Sequence, residues 1–424
     1  MSKYQAFIFK DYSFDQTKKT LTLTYGYDVD LVFTETYVFD FDFVDYEPAV
    51  LDRAIQHLFY MAGVSYYKAY LPPQIQVQKG QIDTLLSEFL SKTYDGGLGE
   101  FFYVNHLDPR TKITFPVTAG TTLNMLSVNG AGKLIGLGGG KDSLVSVELL
   151  RNHEKVATWS LNHRSQLEPL VSRVGLPHLW VERSLDPQIQ TLNKQDAMNG
   201  HVPISAILAC VGTVVAVLSG YQDIVVSNES SASEPTLTYQ GVAINHQYSK
   251  SLTFEKDYQQ LLKSQFGDTL RYYSLIRPFT ELKVAEMFTD LYDKYADVFS
   301  SCNRAYVLTS DGMSWCGKCA KCAFVCLVLT PFIDKQKLEQ LCGKNLLLDP
   351  ELEQTYKQLL GIEGDKPLDC VGEVKESRSA MLLAFETYPE LSSKYEFDVP
   401  TNYDFRAPSE NLIPSELHTA VGLT

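Results

Sequence analysis

Apolar and polar residues alternate through Thr20–Tyr25 and again through Leu31–Phe39 (LVFTETYVF), with Gly26-Tyr27-Asp28 between them. That period of two predicts a hairpin with one buried face. After Pro48 the spacing becomes helical, with Leu51, Ile55, Leu58 and Phe59 on one stripe and Ile82, Leu85, Leu86 and Phe89 on the next. The intervening GVSYYKAYLPP reads as a loop closed by paired prolines. Eighteen of the fifty aromatic residues fall in the first 70 positions, which predicts a small aromatic-rich α+β domain over residues 1–122.

From about residue 125 the rhythm is strand, turn, helix, repeated. Lys133–Leu137 is an apolar strand running into Gly138-Gly139-Gly140, followed by Leu144, Val147 and Leu150 at helical spacing. Val156–Leu161, Leu179–Val181 and Asp223–Ser227 read as further strands, with helices over 165–174 and 203–219. This alternation predicts an α/β domain over residues 123–330, a parallel sheet with helices on both faces. Ligands in such sheets sit beyond the carboxyl ends of the strands, at the point where strand order reverses. The glycine turn, Asn162-His163-Arg164 and Ser227-Asn228-Glu229-Ser230 should therefore share one rim. Residues 331–424 read as a helical C-terminal region, carried by Leu338, Leu341, Leu346–Leu348, Leu359, Leu360 and Met381–Phe385. Its tail from Val399, with Pro400, Pro408 and Pro414, is expected to be extended or loosely ordered.

Composition narrows the class. The fifteen uncharged residues Ile204–Leu218 fall short of the roughly twenty needed to cross a bilayer, so they predict a buried helix. Lys plus Arg is 37 against 51 Asp plus Glu, a net charge of −14, which argues against nucleic-acid and anionic-membrane partners. The first residues, MSKYQAFIFKDYSFD, lack the apolar run of an export signal, and a cytoplasmic protein is expected.

Candidate chemistry concentrates in two motifs. In Leu134–Ser143 (LIGLGGGKDS) a strand delivers three glycines to a helix start. Free N–H groups of such a turn, together with the helix N-terminus, form an anion cradle. Lys141 offers a charge for a phosphate oxygen, Asp142 a ligand for Mg²⁺, and Ser143 a hydroxyl. Asp142 separates Lys from Ser, so the pattern is not the Walker A loop. It resembles the PP-loop ATP pyrophosphatase superfamily, whose Ser-Gly-Gly-x-Asp-Ser is matched here by Gly138-Gly139-Gly140-Lys141-Asp142-Ser143, with Gly138 in place of serine. The resemblance implies an adenine nucleotide alpha hydrolase-like core that splits ATP between the α and β phosphates. The second motif is Cys316-x2-Cys319-x2-Cys322, with Cys302 fourteen residues upstream. Clustered thiolates at this spacing suit a closed structural Zn²⁺ site. Cys302 is the preferred fourth ligand and Cys326 the competing one. Enzymes of the same superfamily that make 7-cyano-7-deazaguanine carry a similar late cysteine run.

Polar segments beyond the loop carry a narrower resemblance. They are Asn199–Pro203 (NGHVP), Ser227–Glu234 (SNESSASE), Asn245–Ser251 (NHQYSKS), Ser300–Arg304 and Cys370–Arg378, with Phe9–Asp15, Thr34–Thr36, Gly63–Lys68 and Gly97–Phe102 near the start. Together they resemble the UDP-N-acetylmuramoyl-L-alanyl-L-glutamate epimerase (MurL) family over roughly residues 7–385. That resemblance implies ATP- and Mg²⁺-dependent inversion of a terminal L-glutamate through an acyl-adenylate, with release of AMP and pyrophosphate. Gly138, Gly139, Gly140, Lys141, Asp142, Ser143, Ser227, Asn228 and Glu229 would bind the nucleotide. His163, His201, His246, Tyr248 and Lys250 are the acid–base candidates by chemistry, with His201 and His246 first. Arg164, Asn245, Lys250 and Arg304 are candidates for the UDP-MurNAc-dipeptide's anionic and polar groups. The rival readings are an adenylating PP-loop ligase that makes an amide or nitrile from a carboxylate, and a zinc-stabilised nucleotide-binding protein without turnover.

Overall fold

A computed structural model describes residues 2–28, 31–306, 313–399, 401 and 403–423. Its strands are β1 (Ala6–Asp15), β2 (Thr20–Tyr27), β3 (Val32–Asp40), β4 (Gln74–Val77), β5 (Lys133–Gly136), β6 (Val156–Leu161), β7 (His178–Ser184), β8 (Asp223–Val226), β9 (Leu237–Tyr239), β10 (Val242–Ile244) and β11 (Arg271–Ser274). Nine of them form one sheet in the order β11-β8-β5-β6-β7-β3-β2-β1-β4, and β9 and β10 make a separate hairpin. The expected parallel sheet is the run β11-β8-β5-β6-β7. The expected hairpin is β2–β3, paired antiparallel from Thr20↔Val38 to Gly26↔Val32.

The two regions join without a gap, because β3 pairs antiparallel with β7 from Thr36↔Ser184 to Asp40↔Trp180. Beside this seam Glu35 Oε1 accepts hydrogen bonds from Arg183 Nε at 2.7 Å and from Tyr37 Oη at 2.6 Å, with Glu35 and Tyr37 buried and the Arg183 side chain nearly so. Substituting one partner would leave the other charge buried and unpaired, at a cost of about 3–5 kcal/mol.

Strand alternation divides the interior into two cores. Leu134, Ala157, Val181, Ile224 and Tyr272 face one side, and their neighbours Ile135, Val156, Trp180, Val225 and Tyr273 face the other. Helix Ile204–Ser219 lies in the first core, packed between the sheet and helix Pro48–Ala62, which explains why it is apolar on every side. Among the described residues no helix is long and apolar enough to cross a membrane.

Two expectations need correcting. The stretch after Gly63 is not all loop: Val64–Tyr67 is a short buried helix. The tail is irregular yet tied down, with Ile413, Leu417 and Val421 in the second core. Thr280 Oγ1 donates to Phe405 O at 2.8 Å, and Ser409 N donates to Pro278 O at 2.8 Å. Proline removes helix and ladder hydrogen bonds but not side-chain burial, so spacing alone misses such packing.

Candidate active site

Strand order reverses between β5 and β8: the chain runs β5, β6, β7 to one side, then returns to β8 and β11 on the other. The glycine turn after β5 and Ser227–Glu229 after β8 thus flank the crevice where such sheets bind ligands. Gly139 adopts φ +86°, and a Cβ there would run into Tyr306 Oη. Gly138 is exposed, and a Cβ on it would meet nothing within 4 Å, so the mouth of the turn is open. Gly140 is the N-cap of helix Lys141–Leu150, and Ser143 Oγ donates to its carbonyl at 3.0 Å.

Beneath the turn lies an acidic cluster. Ligand oxygens of Asp142, Glu229 and Glu281 lie within 4.8 Å of one another. Lys141 is fully buried and bonds both Asp142 and Glu281, while Lys321 Nζ reaches Glu281 Oε1 at 3.2 Å. The Lys141 ammonium, expected to meet a phosphate oxygen, is here paired with two carboxylates. Burial pushes Glu281 up, but Lys141 and Lys321 bring it down to about 2. Glu229 is pushed up to about 7, first by burial and then by the charges of Glu281 and Asp142.

A second cluster gathers side chains from four segments. Glu100 opens helix Gly99–Val104, His201 precedes helix Ile204–Ser219, His246 and Lys250 precede helix Leu252–Phe266, and Cys370 precedes helix Val374–Ala384. Glu100 Oε2 bonds His246 Nδ1 and lies 3.7 Å from His201 Nδ1, and the two imidazole rings are 4.7 Å apart. Cys370 Sγ lies 3.3 Å from Lys250 Nζ and 3.7 Å from His246 Nε2. Burial lowers His201 to about 4, with the His246 charge adding to the effect. Burial also opposes charge on His246, but Cys370 and Glu100 outweigh it and raise the imidazole to about 9. Lys250 links the clusters, since its charge acts on Cys370, Glu229 and Asp142.

Backbone ties hold these groups in register. Arg277 is buried, pairs with Glu255 at 2.9 Å, and donates to the carbonyls of Glu229 and Lys250. Glu376 accepts from Glu281 N at 2.8 Å, which joins the Cys370 segment to the acidic cluster. Lys68 Nζ donates to Asn199 Oδ1 at 2.8 Å and Gly200 O at 3.1 Å, bracing the loop that carries His201.

The other predicted residues are more dispersed. Ser227 Oγ donates to Ser146 Oγ at 2.7 Å, and Asn228 N donates to Ser274 Oγ at 2.7 Å. Asn245 serves its own turn, donating to Ala232 O and accepting from Gln247 N. Tyr248 is packed over Gly96 with its hydroxyl buried. His163 caps helix Arg164–Val174 against the Tyr306 ring. Arg164 pairs with Asp40 at 2.7 Å over the Trp180 ring, outside both clusters, and Arg304 is exposed. Glu100, Glu281, Lys321 and Cys370 were not singled out from the sequence. Glu100 and Cys370 lie in segments that carried the family resemblance, whereas Glu281 and Lys321 leave no local signal.

The four cysteines meet as a separate group. The sulfurs of Cys302, Cys316, Cys319 and Cys322 lie within 4.8 Å of one another, with separations of 3.9 Å for Cys302–Cys319, 3.8 Å for Cys316–Cys322 and 3.4 Å for Cys319–Cys322. Tetrahedral thiolates at the Zn–S distance would be about 3.8 Å apart, so the donor set fits zinc. Cys326 instead lies against Cys342, with sulfurs 2.6 Å apart, leaving Cys302 as the fourth member of the group.

Comparison with known proteins places the chain in a family. The chain matches the MurL N-terminal domain over residues 1–275 and the MurL C-terminal domain over residues 298–394. It is 41% identical over 337 residues to a UDP-N-acetyl-alpha-D-muramoyl-L-alanyl-L-glutamate epimerase of Xanthomonas oryzae pv. oryzae, covering 78% of this chain and 74% of that protein. Proteins of the same name from Salinispora tropica and a Micromonospora species are each 35% identical over 395 residues, covering 91% of this chain and 86% and 88% of theirs. With family matches over most of its length and these relatives covered over more than two thirds of theirs, the chain belongs to the MurL family.

Proposed function

We propose that the protein inverts the terminal L-glutamate of UDP-N-acetylmuramoyl-L-alanyl-L-glutamate, in a reaction driven by ATP that releases AMP and pyrophosphate. One observation carries the reading: an acidic cluster beside an open glycine turn is tied to a cluster of proton-transfer groups through Arg277, which donates to the carbonyls of both Glu229 and Lys250. The names of the three relatives supply the substrate class.

The chemistry needs both clusters. An α-proton beside an ionised carboxylate is very weakly acidic, because the carbanion adds charge next to charge. Joining AMP to that carboxylate removes its charge and leaves an electron-withdrawing carbonyl. The N–H groups of Gly139–Lys141 and the N-terminus of helix Lys141–Leu150 would receive the phosphates. Mg²⁺, held by Asp142 and Glu229 with Glu281 beside them, would neutralise charge on the phosphates. Glu229 fits this role, since it is a buried acid held up by like charges and a cation would restore its ionised form. Lys141 keeps Asp142 and Glu281 in place, and Ser143 bonds back to the turn. The second cluster then takes the α-proton, and hydrolysis of the mixed anhydride returns the acid. The cysteine quartet lies outside both clusters, and its zinc would tie Cys302 to the start of helix Ala320–Leu329.

The test incubates the protein with ATP, Mg²⁺ and the UDP-MurNAc-dipeptide in deuterated water. Deuterium at the glutamate α-carbon together with AMP is expected. ADP and phosphate, or an amide product without exchange, would overturn the reading in favour of another ATP-driven reaction.

A further inference from the structure

Cys370 stands apart from the zinc quartet, yet it is not packed away like Cys210, Cys326 or Cys342, which are buried. The residue is half-buried, and its sulfur contacts two basic side chains from another part of the chain, Lys250 and His246. His246 is anchored on its far side by Glu100, so its Nε2 is turned toward the sulfur. Three cationic groups act on the sulfur: Lys250 and His246 from the segment before helix Leu252–Phe266, and Lys321 from helix Ala320–Leu329. We propose that Cys370 Sγ is the base that removes the glutamate α-proton, held ready between the Lys250 ammonium and the His246 imidazole. This rests on the epimerase reading above and names the atom that reading leaves open.

Physical chemistry favours sulfur over either histidine. Burial pushes the Cys370 thiol up, but Lys250 and His246 reverse this and bring it down to about 6. A base is most effective when it is deprotonated at working pH yet not much weaker than that pH requires, which a thiol near 6 satisfies. His246, raised to about 9, carries a proton already and therefore acts as a positioning residue. His201, lowered to about 4, is neutral and has little affinity for a proton. The step balances as follows. The Cys370 thiolate takes H⁺ from the α-carbon, and the electron pair moves onto the adenylated carbonyl as an enolate. Water protonates the opposite face, and the hydroxide formed takes the thiol proton, which restores the thiolate.

The experiment compares the full-chain protein with Cys370→Ala and Cys370→Ser in deuterated water, reading α-carbon deuterium per AMP formed. That ratio should fall about 10²- to 10⁴-fold in both variants. A ratio within twofold of the unsubstituted protein would overturn the proposal. AMP without deuterium in the unsubstituted protein would instead remove the epimerase reading, so the two failures are distinguishable. A second measurement needs no turnover and no Cys370 variant: iodoacetamide labelling of Cys370 at pH 7, followed by peptide mapping. The rate should drop at least about tenfold in Lys250→Met, because less of the thiol is ionised. Equal rates would overturn the proposed pairing.

Discussion

Replacing Gly139 by alanine tests whether the turn's shape is set by its surroundings. At φ +86° the new Cβ would collide with Tyr306 Oη and come within 2.8 Å of Met313 Cε and 3.0 Å of Leu167 Cδ2. Left-handed backbone costs a residue with a Cβ about 1–2 kcal/mol. Crowding in a packed site costs about 1–3 kcal/mol more. The sum is about 2–5 kcal/mol, with the low end applying if the Met313 tip swings away. Gly138→Ser is the matched control, because its Cβ meets nothing within 4 Å and should change stability by less than about 0.5 kcal/mol. It also restores the serine that the PP-loop pattern carries. Urea unfolding of the three proteins, with calorimetric titration of a non-hydrolysable ATP analogue, reads both effects. Gly139→Ala should be less stable and bind the analogue more weakly, while Gly138→Ser should do neither. Equal stability and affinity for Gly139→Ala, or equal damage from Gly138→Ser, would refute the assignment of the turn as a shaped phosphate cradle.

Two further outcomes follow from groups away from the turn. Metal analysis should find about one zinc per chain. Cys319→Ser should lose the zinc and melt at a lower temperature, whereas Cys326→Ser should keep it; zinc retained by the first or lost by the second would contradict the quartet. Acid stability should depend on His57, which burial lowers to about 4 and which pairs with Gln265 at 2.8 Å. A histidine lowered in the folded state stays neutral while the unfolded one takes up a proton. Its contribution is therefore complete above pH 6.5 and lost as pH falls from 6.5 toward 4. In that window His57→Gln should flatten the fall in unfolding free energy by up to about 1.4 kcal/mol per pH unit, measured by urea titration at several pH values. An unchanged slope would contradict the burial argument.

Local chemistry was legible in the sequence because local spacing sets it. The helix stripes, the glycine turn between strand and helix, and the short CxxC turns each need only neighbours a few residues apart. That the glycine turn and Ser227–Glu229 flank one crevice followed from the rule for parallel sheets. Long-range pairing was not legible. Lys141 opens a helix, a position that reads as solvent-facing, and only Glu281, 140 residues later, makes it a buried ion. Cys370 looked like a stray thiol because His246 lies 124 residues before it. Strand β1 escaped notice because its first four residues, Ala6–Phe9, are all buried and do not alternate. The edge contact of β3 with β7 crosses about 140 residues of chain and has no sequence signature.

That edge contact has a mechanical consequence. Cleft-closing proteins usually swing two lobes about a flexible neck, but here a ladder of backbone hydrogen bonds, locked by the Glu35–Arg183 pair, crosses the boundary. Rotating one half against the other would tear that ladder, so the aromatic-rich part is a wall rather than a door. Any room for a bulky nucleotide-sugar peptide must come from the connections above the sheet, while the β3–β7 seam stays put.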